Sequence, residues 1–188
     1  GLIIKCNQKH SIYAYLSSKN LSPYIWLTKN QGETIIKEAL RSKIDMLCIS
    51  ELGVRHLIFN TLLDNWDHIT LVEMNNEITQ IDFDKSFDGY DWTKNPVKSS
   101  KRTNWIAHFA IVGLPAYEQM EMHGQQIIAD LISKISSIKK DFLQTARFLD
   151  ISEDRVDFII ELLQARLGTL YVDILTAIST HPYYKNKI

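Results

Sequence analysis

The chain has 188 residues, 45% hydrophobic and 23% charged, proportions that suit a globular protein with a core of its own. Lys plus Arg number 21 against 22 Asp plus Glu, a formal net charge of −1, so no global field draws it to nucleic acid and no nucleic-acid partner is expected. Seven Gly and four Pro exclude collagen-like and Pro/Gly-rich classes, and two cysteines, Cys6 and Cys48, read as small buried hydrophobes and not as a disulfide framework. No apolar run approaches the roughly 20 residues of a membrane span, so the chain is read as not membrane-spanning, and its length points to a single domain over residues 1–188.

Residues 2–6 read as a strand, residues 11–16 fit either a helix or a strand, and Leu21-Ser22-Pro23 reads as a break. From about Glu33, the positions Ile35, Ile36, Ala39, Leu40, Ile44 and Leu47 recur at helical spacing. Ser50-Glu51 predicts the start of a second helix that runs to about Asp64. Two β-rich runs, 68–72 and 78–83, flank Asn75-Asn76 and predict a hairpin, and residues 84–103 predict a long loop. Four helices are expected next: 105–112 stopped by Gly113-Leu114-Pro115, about 124–134, one capped by Ser137 and ending near Leu149, and a long last helix. Ser152, followed by Glu153 and Asp154, predicts the N-terminus of that helix, whose stripe is Val156, Ile159, Ile160, Leu163, Leu167, Leu170 and Ile174. Residues 179–188 read as a flexible tail. The expected fold class is mainly α with a small β-hairpin, an α+β protein.

Asp64, Asp67, Asp82 and Asp84 fall at the ends of the predicted hairpin. Carboxylates that are distant along the chain and close in space can hold a divalent cation through oxygen ligands. A cation so held can neutralise nucleotide phosphates, and another carboxylate can accept the proton of an attacking hydroxyl. No His or Cys spacing matches a zinc pattern, so His56 and His68 read as structural, and Trp66, Trp92 and Trp105 as packing residues.

The stretch Leu62-Leu63-Asp64-Asn65-Trp66-Asp67-His68, a hairpin, then Ile81-Asp82-Phe83-Asp84 resembles the catalytic lobe of the kinase superfamily. It is most similar to phosphoinositide 3-/4-kinase-like enzymes and related small bacterial effector kinases, whose lobe carries a D-R-H-x-x-N loop, a hairpin and an I-D-F-G or I-D-F-D motif. The resemblance covers residues 33–178 and implies a protein-kinase-like C-terminal lobe, with residues 1–32 the remnant of a reduced or absent N-terminal lobe. It implies Mg²⁺ and ATP as cofactors, Asp82 and Asp84 as metal ligands, and Asp67 as the catalytic base, or Asp64 in a second alignment. Lys5 would bind the nucleotide with Glu38 or Glu33 as its helix partner, and Lys94, Lys98, Lys101 and Arg102 would form a substrate loop for an anionic lipid headgroup.

The catalytic loop is degenerate. No Arg follows Asp67, and the Asn that supplies a second metal contact has no counterpart. Two readings follow. One is a Mg-ATP-dependent phosphotransferase acting on lipid or protein, a bacterial effector found in the cytoplasm or secreted into a host cytosol. The other is a catalytically inactive kinase-like or purely helical module that docks a protein or an anionic lipid.

Overall fold

The computed structural model describes residues 2–5, 24–27, 33–34, 37–66, 68–74, 77–81, 86 and 103–184. Strands β1 (Leu2–Lys5) and β2 (Tyr24–Leu27) pair antiparallel, with Leu2 opposite Leu27 and Lys5 opposite Tyr24. A second sheet has the order β3 (Glu33–Thr34), β4 (Thr70–Met74), β5 (Glu77–Ile81), all antiparallel. The hairpin expected around Asn75-Asn76 is therefore present, closed by the pair Met74 and Glu77 and open at Thr70 and Ile81. Glu33 does not start a helix: it lies opposite Glu73, where pairing to β4 overrides the helical period of the residues after it.

Five helices follow among the described residues: α1 (Lys37–Cys48), α2 (Glu51–Leu62), α3 (Asn104–Val112), α4 (Leu114–Phe148) and α5 (Glu153–Ser179). The protein is mainly helical with small antiparallel sheets, an α+β architecture.

Ser50 caps α2 as its sequence position suggests. Its Oγ accepts from Gly53 N at 3.3 Å and donates to Leu47 O at 2.8 Å, so one hydroxyl closes both helix ends at the α1–α2 turn. That turn is tight enough that a Cβ on Gly53 would lie 1.9 Å from Leu47 O. Gly113, at φ 81°, separates α3 from α4 in a backbone region open to glycine, and Pro115 sits in the first turn of α4.

The two helices expected over 124–149 are one element. α4 runs unbroken for 35 residues, about 50 Å at helical rise, and Ser137 lies inside it as an exposed residue. The reason is tertiary: α4 packs along α5 over most of its length, and that contact outweighs the weak helix preference of Ser136-Ser137. Ser152 stands at the N-cap of α5 without a side-chain cap bond, while Glu153 accepts from Arg147 Nε at 2.9 Å.

α5 lies at the centre, against α2, α3 and α4. Leu57, Ile58, Leu71, Trp105, Phe109, Leu170 and Ile174 are wholly buried in the main core. A small separate cluster, Ala146, Val156 and Ile160, fills the distal end of the α4–α5 pair. Of the expected tail, Ser179 closes α5 and Tyr184 packs against the core, with its ring 6.0 Å from that of Tyr117, while residues 185–188 lie outside the described residues. Cys48 is buried as expected, and burial, with Asp45 nearby, pushes its thiol pKa far up. No described helix is long and apolar enough to cross a membrane.

Candidate functional site

The chain that leaves α2 makes a Schellman turn. Asp64 N donates to Thr61 O at 3.3 Å and Asn65 N to Asn60 O at 2.9 Å, with Asp64 between them at φ 54°. Asp takes the left-handed position where glycine is usual, because its short polar side chain tolerates that backbone region. The same device ends α4, where Asp150 has φ 57° and Ile151 N donates to Ala146 O at 2.9 Å. A second constraint arrives from α5. Arg166, which is buried, donates from Nη1 to Leu62 O at 2.6 Å, placing a cation on a carbonyl at the negative end of α2.

Behind this turn lies a buried network of amides. Asn60 and Gln80 form a reciprocal pair, Asn60 Nδ2 donating to Gln80 Oε1 at 2.7 Å and Gln80 Nε2 to Asn60 Oδ1 at 2.9 Å. Asn65 Nδ2 donates to the same Asn60 Oδ1 at 2.9 Å, and Trp105 Nε1 donates to Gln80 Oε1 at 2.9 Å. The second Asn60 proton goes to His56 O at 2.8 Å. Exposures of 1% for Asn60, 0% for Asn65, 5% for Gln80 and 0% for Trp105 leave water no access, so these groups depend on one another. The network joins α2, the turn after it, β5 and α3.

His56 lies flat on Trp105, ring centroids 5.3 Å apart and planes 11° from parallel. Burial pushes its pKa down to about 4, so the imidazole is neutral near pH 7, and its Nε2 has no hydrogen-bond partner among the described residues. His56 and Trp105 are thus structural, as their sequence context suggests. Trp66 is only partly covered, 42% exposed, and its carbonyl accepts from Asn104 Nδ2 at 3.2 Å.

Of the carboxylates singled out in the sequence, Asp64 is the one the structure describes, half-buried in the turn. Asp67, Asp82, Asp84, Lys94, Lys98, Lys101 and Arg102 lie outside the described residues, as does Trp92. Lys5 and Glu38 have described backbone on β1 and α1, and Glu33, the other expected helix partner of Lys5, belongs to β3. Among the described residues no three His, Cys, Asp or Glu side chains gather as a metal site. Sequence reasoning missed Asn60, Gln80 and Arg166. The available signal was a polar residue standing at a core position of an apolar helix, Asn60 within Ile58-Phe59-Asn60-Thr61-Leu62 and Arg166 beside Leu163, Leu167 and Leu170.

A second feature is an open groove of about 700 Å³ between α1 and the α3–α4 junction, walled by Met46, Ile49, Val112 and Pro115, with Arg41 and Asp45 among its polar lining. Met46 and Ile49 are 62% and 50% exposed. Behind it His108 Nδ1 stands 3.7 Å from Asp45 Oδ1, too long for a hydrogen bond, and burial keeps the His108 pKa below its ordinary value despite Asp45. Compared with family models, curated proteins and solved structures, the chain finds no match.

Proposed function

We propose that the chain is a kinase-like phosphotransferase lobe that works with Mg²⁺ and ATP. One observation carries this reading. Thr70 is opposite Ile81 in the hairpin, so the chain enters β4 and leaves β5 at the same end. Asp67 precedes that entry by three residues and Asp82 follows that exit directly, the same order of helix, loop, hairpin and acidic exit as in the kinase lobe that the sequence resembles.

In this reading Asp67 accepts the proton of the attacking hydroxyl, and Asp82 with Asp84 would hold the metal. A donor set of carboxylates suits Mg²⁺, which prefers oxygen ligands. Bound Mg²⁺ would supply charge neutralisation at the transferring phosphate. Lys94, Lys98, Lys101 and Arg102 would meet an anionic lipid headgroup or an acidic protein surface. The missing loop Asn, a second metal contact in this scheme, predicts that both Mg-ATP binding and turnover are weakened.

Calorimetric titration of ATP tests the reading. Mg²⁺-dependent heat in the wild type, abolished in Asp82→Ala, supports it; no heat with or without Mg²⁺ overturns it. If turnover is measurable, Asp67→Asn is expected to lower it by about 10²–10⁴, while Asp64→Asn, which keeps the left-handed turn, leaves it unchanged.

The groove favours a second reading, a helical interaction module. Two exposed apolar side chains over a walled depression form a surface that a partner would cover. That reading predicts the same fold without nucleotide binding, and partner binding lost in Met46→Asp.

A further inference from the structure

We propose that Asn60 is a positioning residue whose single side-chain oxygen holds the turn after α2 and strand β5 in one fixed relation; its consequence for nucleotide binding rests on the phosphotransferase reading. Asn60 Oδ1 accepts from Asn65 Nδ2 and from Gln80 Nε2, each at 2.9 Å, so the two segments meet on one atom. The rest of the network removes the freedom of that atom. Asn60 Nδ2 is held by His56 O at 2.8 Å and by Gln80 Oε1 at 2.7 Å, and Gln80 Oε1 is held in turn by Trp105 Nε1 at 2.9 Å. A side chain fixed at both ends of its amide cannot rotate to let one segment move without the other.

The joint is also in the right place. Asn65 is two residues before Asp67, and Gln80 two residues before Asp82. Two residues of chain span at most about 7 Å, so each arm of the joint ends within that reach along the chain of one candidate carboxylate. Apolar contacts already bind α2, β4 and α3, through Leu57, Ile58, Leu71 and Phe109. The amides are therefore not needed to gather these elements; they select one orientation, which is the specificity that a satisfied buried polar network supplies.

The test uses the intact chain with Asn60→Ala, Asn65→Ala and, as a control, Ile174→Ala, a truncation of a buried α5 side chain outside the network. Asn65→Ala removes the arm from the turn and leaves the Asn60–Gln80 pair whole, so it answers the question even where Asn60→Ala folds poorly. Amide hydrogen exchange is expected to speed up at least tenfold in both residues 63–69 and residues 78–81 of Asn60→Ala, with residues 160–178 unchanged. In Asn65→Ala the rise is confined to residues 63–69. Mg-ATP affinity is expected to fall at least tenfold in both variants and to stay within twofold in Ile174→Ala at a temperature where all are folded. Unchanged exchange at 63–69 in Asn65→Ala overturns the joint. Altered exchange with wild-type Mg-ATP affinity overturns its role in binding. If the wild type itself binds no Mg-ATP, the phosphotransferase reading fails, and the exchange pattern still decides whether Asn60 couples the two segments.

Discussion

His56 is neutral in the fold because charging it would strand a cation in a site that burial has largely closed to water. Its folded pKa of about 4 lies below the ordinary value of 6.5. Between those values the unfolded chain binds a proton that the folded chain refuses. Stability is therefore whole above pH 6.5 and falls as pH drops towards 4, by roughly 3 kcal/mol from this group. His108, depressed in the same direction by burial, adds to the slope. Urea denaturation at pH 7.0 and 4.5 checks the sign, and His56→Phe, which keeps the ring on Trp105, should reduce the acid loss by at least half. Equal losses in wild type and variant would show that His56 is not the group responsible.

Two glycines in helices illustrate how neighbouring elements decide what a residue is for. Gly53 is in α2, and a Cβ there would meet Leu47 O at 1.9 Å and Leu47 C at 2.4 Å, both backbone atoms that cannot turn aside. Gly168 is in α5, where a Cβ would meet nothing within 4 Å. The same substitution should act in opposite directions. Gly168→Ala is expected to stabilise by about 1 kcal/mol through helix propensity alone, whereas Gly53→Ala should destabilise by about 3 kcal/mol or more, an overpacking cost at the α1–α2 turn. Thermal unfolding of the two variants, measured side by side, checks this; a Gly53→Ala protein as stable as the wild type would mean that the turn opens freely.

The long α4–α5 pair gives the protein two unequal cores. Most of α5 is in the main cluster, tied to α2 through the bond from Arg166 to Leu62 O across 104 positions of sequence, while the distal end depends on Ala146, Val156 and Ile160. Few buried neighbours mean low local stability, so the distal end should open independently of the rest. Val156→Ala is expected to speed hydrogen exchange over residues 140–160 and lower the global transition little. Ile174→Ala removes a wholly buried side chain from the main cluster and should cost about 2–5 kcal/mol, seen as a shifted global transition. If Val156→Ala lowers the global transition as much as Ile174→Ala, the two ends unfold as one unit.

What local chemistry controls was readable from the residues alone: the Ser50 cap, the hairpin about Asn75-Asn76, the stop at Gly113 and the apolar stripe of α5 all arise from groups within a turn or two of one another. The ordering of helix, acidic turn, hairpin and Ile81-Asp82 was readable too, since it is an order along the chain. Contacts between distant segments were not. Glu33 is a strand residue because β4 is beside it, α4 passes through Ser137 because α5 supports it, and Tyr184 is held against the core because its ring reaches Tyr117. The amide network is the clearest case: Asn60 meets Gln80 across 20 positions and Gln80 meets Trp105 across 25. Helix propensity and periodicity report on neighbours three or four residues away, so a polar side chain at a core position shows only that it needs a partner. Which partner it has was decided by packing, which brought α2, β5 and α3 together and closed the space between them to water.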